Sequence, residues 1–518
     1  MTRRSPRFLP APADLVFLIM TAAAAIPLGA GALNADGDLN RHLRVGREIL
    51  AHGLFFVDRF SWTRLGTPFV PFEWGSEVLY SLADQAAGLP GVLILMSVVI
   101  GITYFLLDRW LERLGMDPVL AFATAVAAGM AGSVHWLARP HVFSYVLVVG
   151  VMWMLDGRRT RIDERGRAEP SARLSSLVPC LLLFAVWANL HGGFLFGLVL
   201  IGLYAAGDAM EAGMGRHPLL RSANVRRGVL MLCAALAGTS LNPVGPRILS
   251  HLTGYLGKTW LINMTVEYHS PNFHTAPGRI FLVLLLISMA VVAVVRQRMP
   301  WRHLAVFLVS TAFALHSVRN VPLWALTGFP LAMLHGNDAW NQLTWKPVAW
   351  CRRVVAVGAA ASLPGLFSLA VAVALTLVAL TGGRIAGAQL LADRFDPNTF
   401  PVTVVARARA ADVEGRMFNE FNWGGYVLNN WPEQKDFIDG QTDIYDVPLS
   451  KLYVSLRDAE PGWDRRLDSL GVSIVLLPAA APLARWLMAS EKWVVADSAD
   501  GAVRFGRADL GTSSSSMR

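Results

Sequence analysis

The sequence predicts a polytopic α-helical membrane protein that ends in a small α/β domain. Three observations predict it. Of 518 residues, 54% are hydrophobic and only 16% charged, against a charged fraction of roughly 25% in ordinary soluble proteins. Apolar runs of roughly 18–22 residues recur along the chain, the length that crosses a bilayer as a helix. After Gly383 those runs stop, and short apolar stretches separated by turn residues take over.

Candidate spans fall at 12–33, 89–108, 117–136, 141–156, 174–190, 194–210, 228–241, 279–295, 303–318, 321–335 and 354–382, about eleven in all. Arg3, Arg4 and Arg7 precede the first run, as they would in a signal peptide. The run is long, however, and Ala32-Leu33-Asn34 is a poor cleavage site, which predicts a retained first span. With the N-terminus in the cytoplasm, the inner loops collect Arg109, Arg113, Arg158, Arg159, Arg226, Arg227, Arg302, Arg352 and Arg353 among others. The opposite short loops carry only Arg139, Arg247, Lys258 and Arg319, as the positive-inside rule requires. An odd number of spans then puts Asp36, Asp38, Arg139, His191, Glu267 and Arg319 on the extracytoplasmic side, together with the chain beyond about Arg384.

The net charge of +9 is spread over membrane loops, and no basic module with interleaved aromatics accompanies it. That argues against a nucleic-acid partner. Cys180 and Cys233 lie in apolar segments and Cys351 in a basic loop; no pair has disulfide or metal spacing.

The expected division is 1–383 as the transmembrane domain, with external loops 34–73 and 242–278, then 384–510 as an extracytoplasmic α/β domain. Residues 511–518, with four serines, are expected to be a disordered tail. In the first loop, Asp38 to His52 reads as an amphipathic helix on the membrane surface. Leu39, Leu43, Val45, Ile49 and Leu50 form its apolar side, and Arg41, Arg44, Arg47 and Glu48 its polar side. A second such helix is expected over Glu73–Ala87, broken by Gly88-Leu89-Pro90. In the C-terminal region, helices are expected at Val402–Val413 and Pro482–Ala489. Strands are expected at Arg416–Glu420, Asp436–Ile438, Ser473–Leu477, Trp493–Ala496 and Val503–Phe505, with a hairpin turn at Ala499-Asp500-Gly501.

Asp36-Gly37-Asp38 follows the first span directly. Carboxylates so spaced either hold a divalent cation through oxygen ligands or supply a general base. Capping of the next helix accounts for Asp38 but not for Asp36. Glu73 and Glu77 stand at i, i+4, suited either to a solvated face or to a ligand role. Arg139 and Arg319 sit in tight external turns, where they either snorkel to headgroups or hold a lipid phosphate. His191, in Trp187-Ala188-Asn189-Leu190-His191-Gly192-Gly193, is a helix-end histidine or a site residue. Glu267, with His269, lies on a long external loop of the kind that closes over substrates. Phe421–Tyr426 and Phe437–Tyr445 are rich in aromatics, Gly and acids; turns explain Gly424 and Gly425 and leave Asp439 and Asp443 open. No phosphate-binding Gly-Lys loop, dinucleotide fingerprint, His-Glu-x-x-His or nucleophile elbow occurs.

These stretches resemble those of GT-C fold glycosyltransferases, in particular bacterial enzymes related to the protein-mannosyltransferase and aminoarabinose-transferase group. The residues that carry the resemblance are Asp36-Gly37-Asp38 with His42, Arg139-Pro140, Trp187 to Gly193, and Asn422-Trp423-Gly424-Gly425-Tyr426 with Ile438-Asp439-Gly440. The protein-mannosyltransferase group has an Asp-Glu pair where this chain has Asp36-Gly37-Asp38. The resemblance implies inverting transfer of a sugar from a polyprenyl-phosphate carrier to an extracytoplasmic glycan, lipid or protein acceptor at a bacterial cytoplasmic membrane. Asp36 or Asp38 would be the catalytic base or, with Mg or Mn, the metal ligands. His42, Arg139, His191, Arg319 and Glu267 would bind substrate. The competing readings are a transporter or flippase for a lipid-linked glycan, and a non-catalytic scaffold of an envelope-assembly complex. Transport predicts charges near the bilayer midplane, whereas the charges here sit at span ends.

Overall fold

The structure, a computed structural model, describes residues 10–35, 37–156, 177–215, 222–295, 298–361 and 364–509. Asp36 and the serine-rich tail lie outside the described residues.

The apolar runs fold as helices, several of them interrupted for local reasons. The first run forms Pro12–Ala25 and Gly29–Asn34. Pro27 between them lacks an N–H and cannot continue a helix. Asp14 is buried and accepts from the Ala11 N–H at 3.0 Å, while its other oxygen accepts from Gly365 N (3.0 Å) and Ser368 N (3.2 Å). It thus ties the first helix to the start of Leu366–Leu380.

The juxtamembrane helix and the second span are one 40-residue helix, Trp74–Arg113, with a kink instead of a loop. Gly88 takes φ 65° there, a backbone state that side chains disfavour, just ahead of Pro90. Further helices run over Pro118–Gly132, His141–Asp156, Leu177–Leu190, Phe194–Met214, Ala223–Thr239, Ala276–Val294 and Trp301–His316. The expected span at 321–335 is a pair, Val321–Leu326 and Gly328–His335, and that at 354–382 falls on Lys346–Ala361 and Leu366–Leu380. Among the described residues, four helices are long and apolar enough to cross a membrane: Trp74–Arg113, Pro118–His135, Phe194–Met214 and Ala276–Val294. Shorter apolar helices, such as His141–Asp156 and Leu177–Leu190, pack with them. Exposed Val178, Leu182, Val186, Leu286 and Met289 keep their outer faces apolar, as a lipid-facing surface requires.

Asp38–His52 is a helix, but its surroundings differ from those expected of a surface helix. It is held between Trp74–Arg113 and the short helix Gly424–Asn430. Arg41, placed on the polar side by its sequence, is 2% exposed and paired with Asp439. A buried partner carboxylate, rather than water, satisfies that guanidinium.

The C-terminal region begins with a two-strand ribbon, β1 (Arg384–Ile385) and β2 (Ala388–Gln389). It then builds one sheet from β3 (Met417–Asn419), β4 (Ile474–Pro478), β5 (Trp493–Ala499) and β6 (Ala502–Arg507), in the order β3-β4-β6-β5. The β3–β4 pair is parallel and the others antiparallel. Asp500 (φ 55°) and Gly501 (φ 71°) turn the β5–β6 hairpin. Helices Val402–Ala410 and Pro482–Met488 flank the sheet. The expected strand at Asp436–Ile438 is absent. Asn419 accepts from Phe437 N (2.8 Å) and donates to Ile438 O (2.9 Å), so a side chain takes the place of a ladder. A single bridge between Ser61 and Asp436 remains.

Candidate active site

The loop after Gly29–Asn34 begins at Ala35, and its next described residues pack directly on the C-terminal region. A Cβ on Gly37 would strike the Asn422 carbonyl, and one on Gly425 would strike the Gly37 carbonyl. Only glycine at both positions lets the two backbones approach this closely. The motifs around residues 37 and 425, nearly four hundred residues apart in the chain, are therefore in van der Waals contact.

Asp38 opens the helix that follows. Its Oδ2 lies 3.2 Å from Nη2 of Arg139. Arg139 Nη1 in turn lies 3.2 Å from Glu267 Oε2, and Arg319 Nη1 lies 3.1 Å from Glu267 Oε1. The side chains of Asp38, Arg139, Glu267 and Arg319 remain 17–26% exposed, so the group is open to a ligand. Local contacts place each of them. Arg139 follows the turn Ser133–His135, and its carbonyl accepts from Tyr80 Oη at 2.9 Å. Glu267 sits in the turn Val266–Tyr268, where its carbonyl accepts from Ser317 Oγ at 2.8 Å. Arg319 stacks over the Tyr268 ring, 4.6 Å from its centroid.

Glu267 also accepts from His135 Nε2 at 3.1 Å. His141 Nε2 donates to the His135 carbonyl at 2.9 Å and lies 3.0 Å from His135 Nδ1. His135 therefore carries its proton on Nε2, toward Glu267. Burial works against the Glu267 carboxylate, but the His135 hydrogen bond, Arg319 and Arg139 outweigh it and hold it well below the usual carboxylate range. His135 escapes sequence reasoning, although it directly precedes the Trp136–His141 stretch.

A second group of side chains adjoins the first. His42 stands one helical turn after Asp38 and its Nδ1 lies 3.2 Å from Glu77 Oε1. His191 Nδ1 accepts from Gly193 N at 2.9 Å and contacts Ser144 Oγ at 2.8 Å. Its proton therefore sits on Nε2, 3.6 Å from Glu73 Oε1. Burial, with Arg319 and His42 adding to it, lowers His191 to about 3 and keeps the ring neutral. Burial pushes Glu73 up to about 8; His42 opposes that rise, while Glu77, Asp443 and Asp38 add to it. Trp74 Nε1 donates to Asn189 Oδ1 (2.6 Å) and Ser76 Oγ to Leu190 O (2.7 Å), locking this helix start to the His191 turn. Glu73 and Glu77 are thus drawn into the cluster and do not form a solvated face.

The structure brings together His42, Arg139, His191, Glu267, Arg319 and Asp38; Asp36 lies outside the described residues. His269, paired with Glu267 in the sequence, instead turns its Nε2 to the Asn263 carbonyl at 2.7 Å. Among the described residues, no three His, Cys, Asp or Glu side chains are grouped as metal ligands, and Asp38 faces a guanidinium. The described residues do not fit a cation held at Asp38. Behind the site, Asp443 receives His251 Nε2 at 3.0 Å, and Lys258 Nζ donates to Asp443 O at 3.0 Å. The helix Arg247–Leu256 is thereby fastened to the C-terminal region.

No protein-family model matches the sequence, and no curated relative matches it. Solved structures match its fold. One is the archaeal oligosaccharyltransferase AglB from Archaeoglobus fulgidus in complex with an inhibitory peptide and a dolichol-phosphate. Its TM-score is 0.56 at 10% identity, over 90% of this chain and 69% of that one. Another is ArnT from Cupriavidus metallidurans bound to undecaprenyl phosphate, with a TM-score of 0.51 at 14% identity, over 95% of this chain and 97% of that one. The chain has the GT-C fold and is a helical membrane protein.

Proposed function

We propose that this chain is an integral-membrane glycosyltransferase that moves a sugar from a polyprenyl-phosphate carrier to an extracytoplasmic acceptor. The observation that carries the reading is the ion-pair chain Asp38–Arg139–Glu267–Arg319, partly exposed beside the first external loop. Two guanidiniums held by one carboxylate form a ready anion site, since each offers paired N–H donors to phosphate oxygens. As the bond between the anomeric carbon and the phosphate oxygen breaks, negative charge grows on the leaving phosphate. Arg139 and Arg319 stabilise that charge without first having to be organised.

Asp38 lies beside Arg139, where it orients the acceptor against the same centre. His191, held neutral by burial, contributes an N–H group and no competing charge, and His135 directs its Nε2–H to Glu267. The lipid phosphates bound by ArnT and AglB are the chemistry this anion site suits, and the apolar outer helix faces suit the carrier's hydrocarbon. The positive-inside bias of the loops supports an extracytoplasmic position for the site.

The experiment is a binding comparison in detergent or nanodiscs between undecaprenyl phosphate and the uncharged undecaprenol. Wild type should prefer the phosphate, and Arg139→Ala and Arg319→Ala should each weaken it by about tenfold, roughly 1.4 kcal/mol, with undecaprenol binding unchanged. Equal affinity of wild type for both lipids contradicts the reading.

A further inference from the structure

We infer that His42, oriented by Glu77, is the group that takes the proton from the acceptor, which is accordingly a hydroxyl-bearing molecule. The inference rests on the glycosyl-transfer reading and assigns within it the group that accepts the acceptor's proton.

Four histidines belong to the cluster, and two of them, His191 and His135, already have their lone pairs in use. His191 Nδ1 accepts from Gly193 N. His135 Nδ1 faces the protonated Nε2 of His141, which itself donates to the His135 carbonyl. Neither of these two has a ring nitrogen free to accept a proton, and His141 is turned to His135 through its Nε2. His42 differs from them. With the Glu77 oxygen accepting, the 3.2 Å contact to His42 Nδ1 puts the proton on that nitrogen. The lone pair of a neutral His42 is therefore on Nε2. Among the described residues, that atom has no hydrogen-bond partner, and the side chain keeps 8% exposure.

Among the described carboxyls of the cluster, Asp38 and Glu73 are poorer candidates. Asp38 is paired with Arg139 at 3.2 Å, and a cation at that distance weakens a carboxylate as a base. Burial holds Glu73 near 8, so it already carries a proton at neutral pH. His42 and Asp38 stand at i and i+4 and therefore share a helix face, which places the imidazole next to the pair that faces the anion site.

The charged and titratable groups around His42 are Glu77 and Glu73 from the start of Trp74–Arg113, Asp38 from its own helix, and His191 from the turn beyond Leu177–Leu190. Burial disfavours the imidazolium. The Glu77 hydrogen bond, with the charges of Glu77 and Asp38 adding to it, raises His42 above 6.5. A base that titrates near the working pH is the efficient kind. In the step, the acceptor oxygen bonds to the anomeric carbon and its proton passes to His42 Nε2. The bond from that carbon to the carrier phosphate breaks, and its electron pair leaves on the phosphate oxygen.

The test uses the full chain in nanodiscs with tritiated mannose, glucose, N-acetylglucosamine and aminoarabinose, each linked to undecaprenyl phosphate. Water serves as the hydroxyl acceptor, and released sugar is followed from about pH 5 to about pH 9, the span over which an imidazole titrates. Wild type should lose kcat on the acid side as His42 protonates. His42→Gln should lower kcat by about 100-fold or more, leave the donor KM unchanged and abolish the acid limb. Glu77→Gln keeps a hydrogen-bonding side chain but removes its charge, so the limb should move about one pH unit lower. This second variant tests the inference even if His42→Gln fails to fold, because a merely structural Glu77 would not move the limb. Retention of the wild-type rate and limb by His42→Gln, or an unmoved limb in Glu77→Gln, overturns the assignment and leaves glycosyl transfer standing. Absence of release by wild type from every donor overturns both.

Discussion

The Asp38 carboxylate lies directly over Gly440, so that a Cβ added there would collide with Asp38 Oδ1. Gly440 belongs to a turn about four hundred residues downstream, and it sets where the first-loop carboxylate can sit. Gly440→Ala should displace Asp38 from Arg139. Because a misplacement of about 1 Å in substrate positioning costs up to about 100-fold in rate, sugar transfer should fall by at least tenfold. Melting temperature and monodispersity should change little. Transfer at the wild-type rate would show that Asp38 tolerates the displacement.

Arg41 and Asp439 form the adjoining clamp, at 2% and 0% side-chain exposure. Gln441 Oε1 accepts from Arg41 Nε at 3.2 Å. Asp439→Asn leaves a buried guanidinium without its counter-charge, which should destabilise the protein by about 3 kcal/mol. Thermal unfolding in a fixed detergent checks this. The double variant Arg41→Met/Asp439→Leu should recover most of the loss, because an apolar pair removes both charges together.

Glu267 carries a pH signature. Its carboxylate is held below the ordinary value of 4.5, so its contribution is complete above pH 4.5 and declines as pH falls toward the folded value. Glu267→Gln should cost about 1.5–3 kcal/mol at neutral pH, and the gap to wild type should narrow in acid. A gap that stays constant with pH would remove Glu267 from the ion-pair chain.

Glu73 should behave in the opposite sense. Its folded value of about 8 lies above 4.5, so its contribution is complete below pH 4.5 and is lost as pH rises through about 8. Glu73→Gln should therefore equal wild type in mild acid and exceed it by on the order of 2 kcal/mol above pH 8. Chemical denaturation at two pH values decides it.

The helical class was legible because apolar runs of membrane length need no partner to identify them. Interruptions at Pro27, Thr327 and Gly365 were less so, since an apolar average passes over a local break. Asp38, Arg139, Glu267 and Arg319 stood out as charges at helix ends, and they meet in one ion-pair chain. What escaped was pairing at long range. Arg41 looked like a solvent-facing charge because nothing in its own helix shows that Asp439 waits for it. His135 and the Glu77–His42 contact were hidden for the same reason: their partners are 132 and 35 residues away. The Asp436–Ile438 strand failed because Asn419, a side chain, satisfies the backbone that a ladder would have used.

The central claim is tested most directly by transfer itself. Reconstituted wild-type protein is incubated with tritium-labelled undecaprenyl-phosphate sugars and an extract of envelope glycans and lipids, beside Asp38→Asn at equal quantity and fold. The account predicts label moving from the lipid carrier to an acceptor in the wild type and not in Asp38→Asn. Label that stays on the carrier with every donor, or that moves equally well with both proteins, would contradict it.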